Sequence, residues 1–238
     1  MNFRQQWLLL TFMVCCMPVA LSASTPGMTV AHYDVTTRGF RIGTAHTSQR
    51  FSVIGGEPTV HFETKTDVKA SFLWLGYRLA VVETGVLKNG VLVGYSRQGE
   101  ENGRKLAVKG RFDGAVFRFD SVENGVAKTI HIPRSEYDGT TVECPEARLD
   151  FRKNEAVTLR ILDVELQTVV RREYRLVGEG SHTIERTTYP CRIIEYRDPN
   201  KHARRWFRHD ETSVVMFRQD GRGSSGYSVK AVKLAREE

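Results

Sequence analysis

After its first two dozen positions, no stretch of this sequence is apolar for long enough to cross a bilayer as a helix, which takes about 20 residues. Helix-period stretches are scarce, and no Pro- or Ser-rich linker interrupts the chain, so nothing marks a second domain. Cysteine is sparse: Cys15 and Cys16 lie in the apolar start, which leaves only Cys144 and Cys191. The seven histidines form neither an H-E-x-x-H pair nor a set with C-x-x-C, so no metal site is expected, and no cofactor. His202 and His209 could converge across a hairpin, but scattered surface or strand histidines explain them better. Gly221-Arg222-Gly223-Ser224-Ser225-Gly226 matches G-x-G-x-x-G. A dinucleotide site would need a helix and a further strand after it, and only a short alternating segment follows, so the match reads as a hairpin loop. The same serines fail the G-x-S-x-G pattern of a nucleophile elbow.

Turn dipeptides are what the chain has in quantity. Asn89-Gly90, Asn102-Gly103, Asp113-Gly114 and Asn124-Gly125 recur at near-even spacing, and such pairs tolerate the positive φ that type I′ hairpin turns require. Between them the residues alternate. Leu106, Val108, Gly110 and Phe112, then Ala115, Phe117 and Phe119, form an apolar face, while Lys105, Lys109, Arg111 and Arg118 form a basic, wet one. Val91, Val93 and Tyr95 extend the pattern upstream, and Val126, Lys128, Ile130 and Ile132 extend it downstream. Further strands are predicted over 29–37, 40–52, 59–69, 157–162, 169–177, 191–197, 203–208, 214–219 and 227–234. The fold class is all-β: a large antiparallel meander with little helix, curled into a barrel or half-barrel because closure removes exposed edges.

Met1 to Ala23 reads as a secretory signal, with Arg4 as its positive region and small residues at a cleavage site near Ala20 to Ser24. The expected organisation is a leader at 1–23 and a single barrel-like domain at 24–238, exported to the periplasm of a Gram-negative bacterium and not integral to a membrane. The formal charge of +7 falls to +6 when Arg4 leaves with the leader. That balance suits anionic headgroups or glycans but also a solvated basic face, and export argues against nucleic acid as a partner. In an oxidising compartment Cys144 and Cys191 are expected to form a disulfide tying the segment 138–155 to the sheet, which would contribute roughly 4 kcal/mol.

Two segments are candidate binding sites. Phe72, Leu73, Trp74, Leu75, Gly76 and Tyr77 break the alternation with a continuous apolar run, readable as a helix or loop over a barrel mouth that meets a ligand, or as a plug completing the core. Lys201 to His209 is the densest basic and aromatic segment, and Arg204, Trp206 and Arg208 share one strand face that suits an anion or a sugar. Salt bridges to nearby acids compete with that reading. Asp163 and Glu165 would share a strand face as paired carboxylates do in glycoside chemistry, or sit at a solvated edge. No catalytic residue is assigned.

Tyr33-Asp34-Val35 followed by Gly39-Phe40-Arg41-Ile42-Gly43, a central apolar run followed by hairpins, and Tyr189-Pro190-Cys191-Arg192-Ile193 followed by Arg205-Trp206-Phe207 resemble an exported bacterial β-protein family, domain of unknown function 3108. That resemblance implies a curled antiparallel barrel, loosely similar to periplasmic lipoprotein carriers, with no enzymatic activity or ligand to assign. The preferred function is a non-catalytic cell-envelope protein that binds a hydrophobic or amphipathic ligand, such as a lipid, inside the curled sheet. The alternatives are an envelope enzyme acting on glycan or lipid, and a scaffold that pairs a sheet edge with another envelope protein.

Overall fold

The computed structural model describes residues 27–72, 75–151, 155–209, 214–222 and 226–237, so the expected leader, Leu73 and Trp74 lie outside the described residues. Fifteen strands form one sheet: β1 (Gly27–Thr37), β2 (Phe40–Ile54), β3 (Glu57–Phe72), β4 (Leu75–Lys88), β5 (Val91–Glu101), β6 (Arg104–Phe112), β7 (Val116–Glu123), β8 (Val126–Pro133), β9 (Gly139–Thr140), β10 (Ala156–Asp163), β11 (Thr168–Ile184), β12 (Thr187–Arg197), β13 (His202–His209), β14 (Val214–Gly221) and β15 (Tyr227–Glu237). There is no α-helix among the described residues, only short 3-10 turns at Arg134–Glu136 and Pro145–Ala147.

The sheet order runs from β8 back to β1, then β15 down to β9, so the first and last described strands pair in the middle of the sheet. Every ladder is antiparallel except β9 with β10, where Ile161 and Leu162 pair with Gly139 and Thr140. The sheet is not closed, and its edges β8 and β9 are joined by the crossover that follows Pro133. It is a curled half-barrel.

Three of the four turn dipeptides adopt the backbone that type I′ requires, with φ of 48° and 74° at Asn89-Gly90 and closely similar values at Asn102-Gly103 and Asn124-Gly125. Asp113-Gly114 differs. Only Gly114 has positive φ, and Asp113 Oδ1 accepts the backbone N–H groups of Ala115 and Val116, both at 2.8 Å, so the side chain builds a longer turn.

The inward side chains form three apolar clusters that fill the space between facing walls. One joins β1 to β4 with Ile184, Cys191, Met216 and Phe217 from the opposite wall. A second places Phe62, Phe117 and Phe119 against Tyr137, Val142 and Leu162, and a third surrounds Tyr174 and Phe207 with Cys144, Ala147 and Phe151. The crossover 134–151 therefore enters the core. Glu143 holds it there by accepting the N–H of Leu92 at 2.9 Å and of Thr140 at 3.1 Å, and Arg148 donates to the carbonyl of Gly90 at 3.2 Å.

Cross-strand aromatics cover inward glycines: Phe62 lies over its register partner Gly85, and a Cβ at Gly85 would stand 2.4 Å from the ring. Tyr227 covers its partner Gly221 at 2.0 Å by the same measure. Such pairs fix register and let the sheet curl.

Two expectations are corrected here. Cys191 is a free, buried thiol, so the expected bridge to Cys144 is not formed. Cys191 faces the cluster around Phe217, whereas Cys144 belongs to the separate cluster around Phe151 and caps the 3-10 turn at Pro145, so the two cysteines are held by different parts of the core. The described part of the run from Phe72 to Tyr77 is strand, not helix: Phe72 ends β3 and pairs with Leu75 of β4, Ala70 pairs with Tyr77, and Tyr77 is buried in the first core cluster. His202 and His209 stand at opposite ends of β13, as scattered strand histidines rather than a converging pair.

Candidate functional site

Charged residues inside the half-barrel make a network that spans it. Arg97 on β5 and Glu83 on β4 come from one wall, and Arg97 Nη1 is salt-bridged to Glu165 in the β10–β11 turn of the other. Lys201 Nζ donates to Asp163 at 2.9 Å and to Glu165 at 3.2 Å, and Arg172 Nη2 reaches Asp163 at 3.6 Å and Asp198 at 2.7 Å. Arg205 Nη1 meets Glu146 of the crossover at 2.6 Å while its Nε donates to Gln219 at 2.5 Å. Arg172 and Arg205 each lie 4.6 Å from the ring centre of Tyr196. All these ionic side chains are buried, with Lys201 and Arg97 the most exposed at 6 %.

Charge balance explains how the interior tolerates this. Arg97, Arg172, Lys201 and Arg205 face Glu146, Asp163, Glu165 and Asp198, which leaves Glu83 as the odd carboxyl. Glu83 accepts the hydroxyl of Tyr95 at 2.5 Å. Burial raises its pKa above the usual carboxylate range, and Glu165 adds to the rise while Arg97 opposes it. A carboxyl raised in this way binds its proton more tightly folded than unfolded, so the wild type loses stability as pH climbs past the ordinary carboxylate pKa. Glu83→Gln keeps an acceptor for Tyr95 and has no proton to lose. Its stability relative to wild type should therefore rise as pH climbs above the ordinary carboxylate range in urea titrations; a pH-independent difference would show that Glu83 is not the group responsible.

Asp163 and Glu165, read as a solvated edge or a glycosidase pair, are thus sealed structural carboxylates. Arg204, Trp206 and Arg208 do share the outer face of β13, and each is engaged within the sheet. Arg204 pairs with Glu195 at 3.0 Å, Trp206 lies 4.7 Å beneath Arg218, and Arg208 lies 5.0 Å from the ring centre of Tyr189. Tyr77 is buried and donates to Glu101 at 3.2 Å.

The open concavity is on the outer face of the same wall. Two adjoining hollows of about 930 Å³ and 540 Å³ share Ala80, Gln98 and Gly99, and together run from β15 and β1 across to β7. Register builds the trough as a single transverse row. On its first half Lys233 pairs with His32, His32 with His46, and His46 with Lys65. On its second half Lys65 pairs with Val82, Val82 with Gln98, Gln98 with Ala107 and Ala107 with Val122. One end is basic, with Val232 exposed at 41 % beside it, and the other is largely apolar, with Val82 and Val122 exposed at 38 and 44 %. Sequence reading missed this row because its members are far apart in the chain, and only the ladder registers bring them into line.

No known family model and no curated protein matches the chain. Among solved structures it is similar to a β-barrel-like protein of domain of unknown function 1849 from Brucella abortus, at 11 % identity over 94 % of this chain and 100 % of that one, with a TM-score of 0.56. The likeness is one of fold. It shows a β-barrel-like fold, and it does not single out domain of unknown function 3108.

Proposed function

We propose that this is an exported cell-envelope protein that binds an amphipathic ligand without chemistry, and that the ligand lies in the outer trough of the sheet. The trough carries the reading: exposed Val82, Val122 and Val232 line a hollow large enough for an alkyl chain. The ligand is assigned outside the curl because the three clusters and the ion network occupy the interior. The paired carboxylates are salt-bridged and sealed from any substrate, which favours binding over glycan or lipid hydrolysis. Kinship with exported proteins of domain of unknown function 3108 belongs to this reading, and the segments behind that likeness fall on β1, β2, β12 and β13.

The test is displacement of a fluorescent fatty-acid analogue by unlabelled lipid. Val82→Asp puts a charge on the trough floor at an exposed site, so the melting temperature should hold within about 2 °C while affinity falls roughly tenfold or more. Unchanged affinity in a folded Val82→Asp protein would place the ligand elsewhere.

A further inference from the structure

Resting on the trough reading, we infer that His32, His46 and Lys65 form a headgroup site for a phosphate, so that the ligand is an anionic single-chain amphiphile whose tail runs along Val82, Ala107 and Val122. His32 and His46 are stacked with ring centres 4.4 Å apart and 15° between planes. Stacking fixes both rings on the trough floor, and His46 Nε2 is buried there without a hydrogen-bond partner. Lys65 is the next member of the row, and Lys233 stands beyond His32 at its other end.

The groups that face His46 from the adjoining strands are His32 and Asp34 of β1 and Glu63, Lys65 and Asp67 of β3. Asp34 is held by Arg41 at 2.9 Å and Glu63 by Lys65 at 2.8 Å. Burial depresses the His46 imidazole, His32 and Lys65 depress it further, and Glu63 alone opposes them, so the local field is net positive. A phosphate placed over the rings would relieve that field and give Nε2 its missing partner, with the three terminal oxygens able to engage His32, His46 and Lys65 together. The apolar half of the row continues directly from Lys65 through Val82 to Val122, four strand spacings or about 19 Å, which is room for a medium alkyl tail.

Dodecyl phosphate, with dodecyl maltoside as an uncharged control, tests this by calorimetry below their micellar concentrations. Dodecyl phosphate should bind the full chain about tenfold more tightly than dodecyl maltoside, and more tightly still as pH falls through the range where His46 takes up a proton. His46→Gln and, independently, Lys65→Gln should each remove most of that preference and leave dodecyl maltoside binding unchanged. Equal affinity for the two amphiphiles in wild type, or a preference that survives both substitutions, overturns the headgroup site while leaving the trough in place. Binding of neither overturns the trough reading and the headgroup site with it.

Discussion

Arg97→Met should destabilise the protein by about 3–5 kcal/mol, seen as a fall in melting temperature on the order of 10 °C. The side chain crosses from β5 to the β10–β11 turn, and its removal leaves Glu165 and Glu83 buried with one cation fewer between them. Buried ion pairs are costly to form because both partners lose water, so the pair need not be strongly stabilising in itself; the damage comes from the orphaned charge. Arg97→Met combined with Glu165→Leu removes both and should recover a good part of the loss, although Lys201 then loses its contact with Glu165. Chemical denaturation of the two single variants and the double variant measures the coupling. Strict additivity would show that Arg97 and Glu165 do not act as a pair.

Arg205→Met should be comparably severe, at about 3–5 kcal/mol, and its effect should be local as well as global. Arg205 and Glu146 are exposed at 3 and 1 %, and the pair pins the 3-10 turn of the crossover to β13 from within the core. Arg205 also donates to Gln219 at 2.5 Å and to the Tyr196 hydroxyl at 3.2 Å. Without it, the crossover 134–151 should open below the global transition, so that its amides lose hydrogen-exchange protection before those of β1 to β4. Combining Arg205→Met with Glu146→Leu should restore part of both. Uniform loss of protection across the sheet would mean that the crossover is held by its apolar contacts alone.

The strands were legible because the sequence alternates with a period of two wherever one face meets the core. Phe117 and Phe119 face inward as the pattern requires, and the asparagine-glycine turns sit where the dipeptides stand. Alternation failed where the backbone bulges. On β5 both Leu92 and Tyr95 are buried, three positions apart, beside a register shift at Val86/Leu87, so the series Val91, Val93, Tyr95 does not share one face. On β11 the ladder shifts between Leu176 and Gly178 and then continues to Ile184, well past the predicted end at residue 177. Pro190 belongs to the matching extension of β12, where β13 pairs only from Arg192 onward and no ladder hydrogen bond is asked of the proline on that side.

The sites were harder to read for a different reason. Arg97, Lys201 and Arg205 look like surface charges in a basic sequence until distant carboxylates are brought beside them. Asp163 and Glu165 were visible as a pair but not as a buried one. The transverse row from Lys233 to Val122 depends on seven ladder registers, including the pairing of β1 with β15 at the middle of the sheet, and no local pattern encodes that pairing.

The central claim, a packed interior and a ligand on the outer face, is tested most directly by methyl NMR with dodecyl phosphate added to the valine- and leucine-labelled protein. Neighbours on one strand point to opposite faces: Val81 is buried in the core and Val82 is open to the trough. The methyls of Val82, Val122 and Val232 should shift, while those of Leu79 and Val108 stay in place. Shifts confined to the inward set would put the ligand inside the curl and contradict the account.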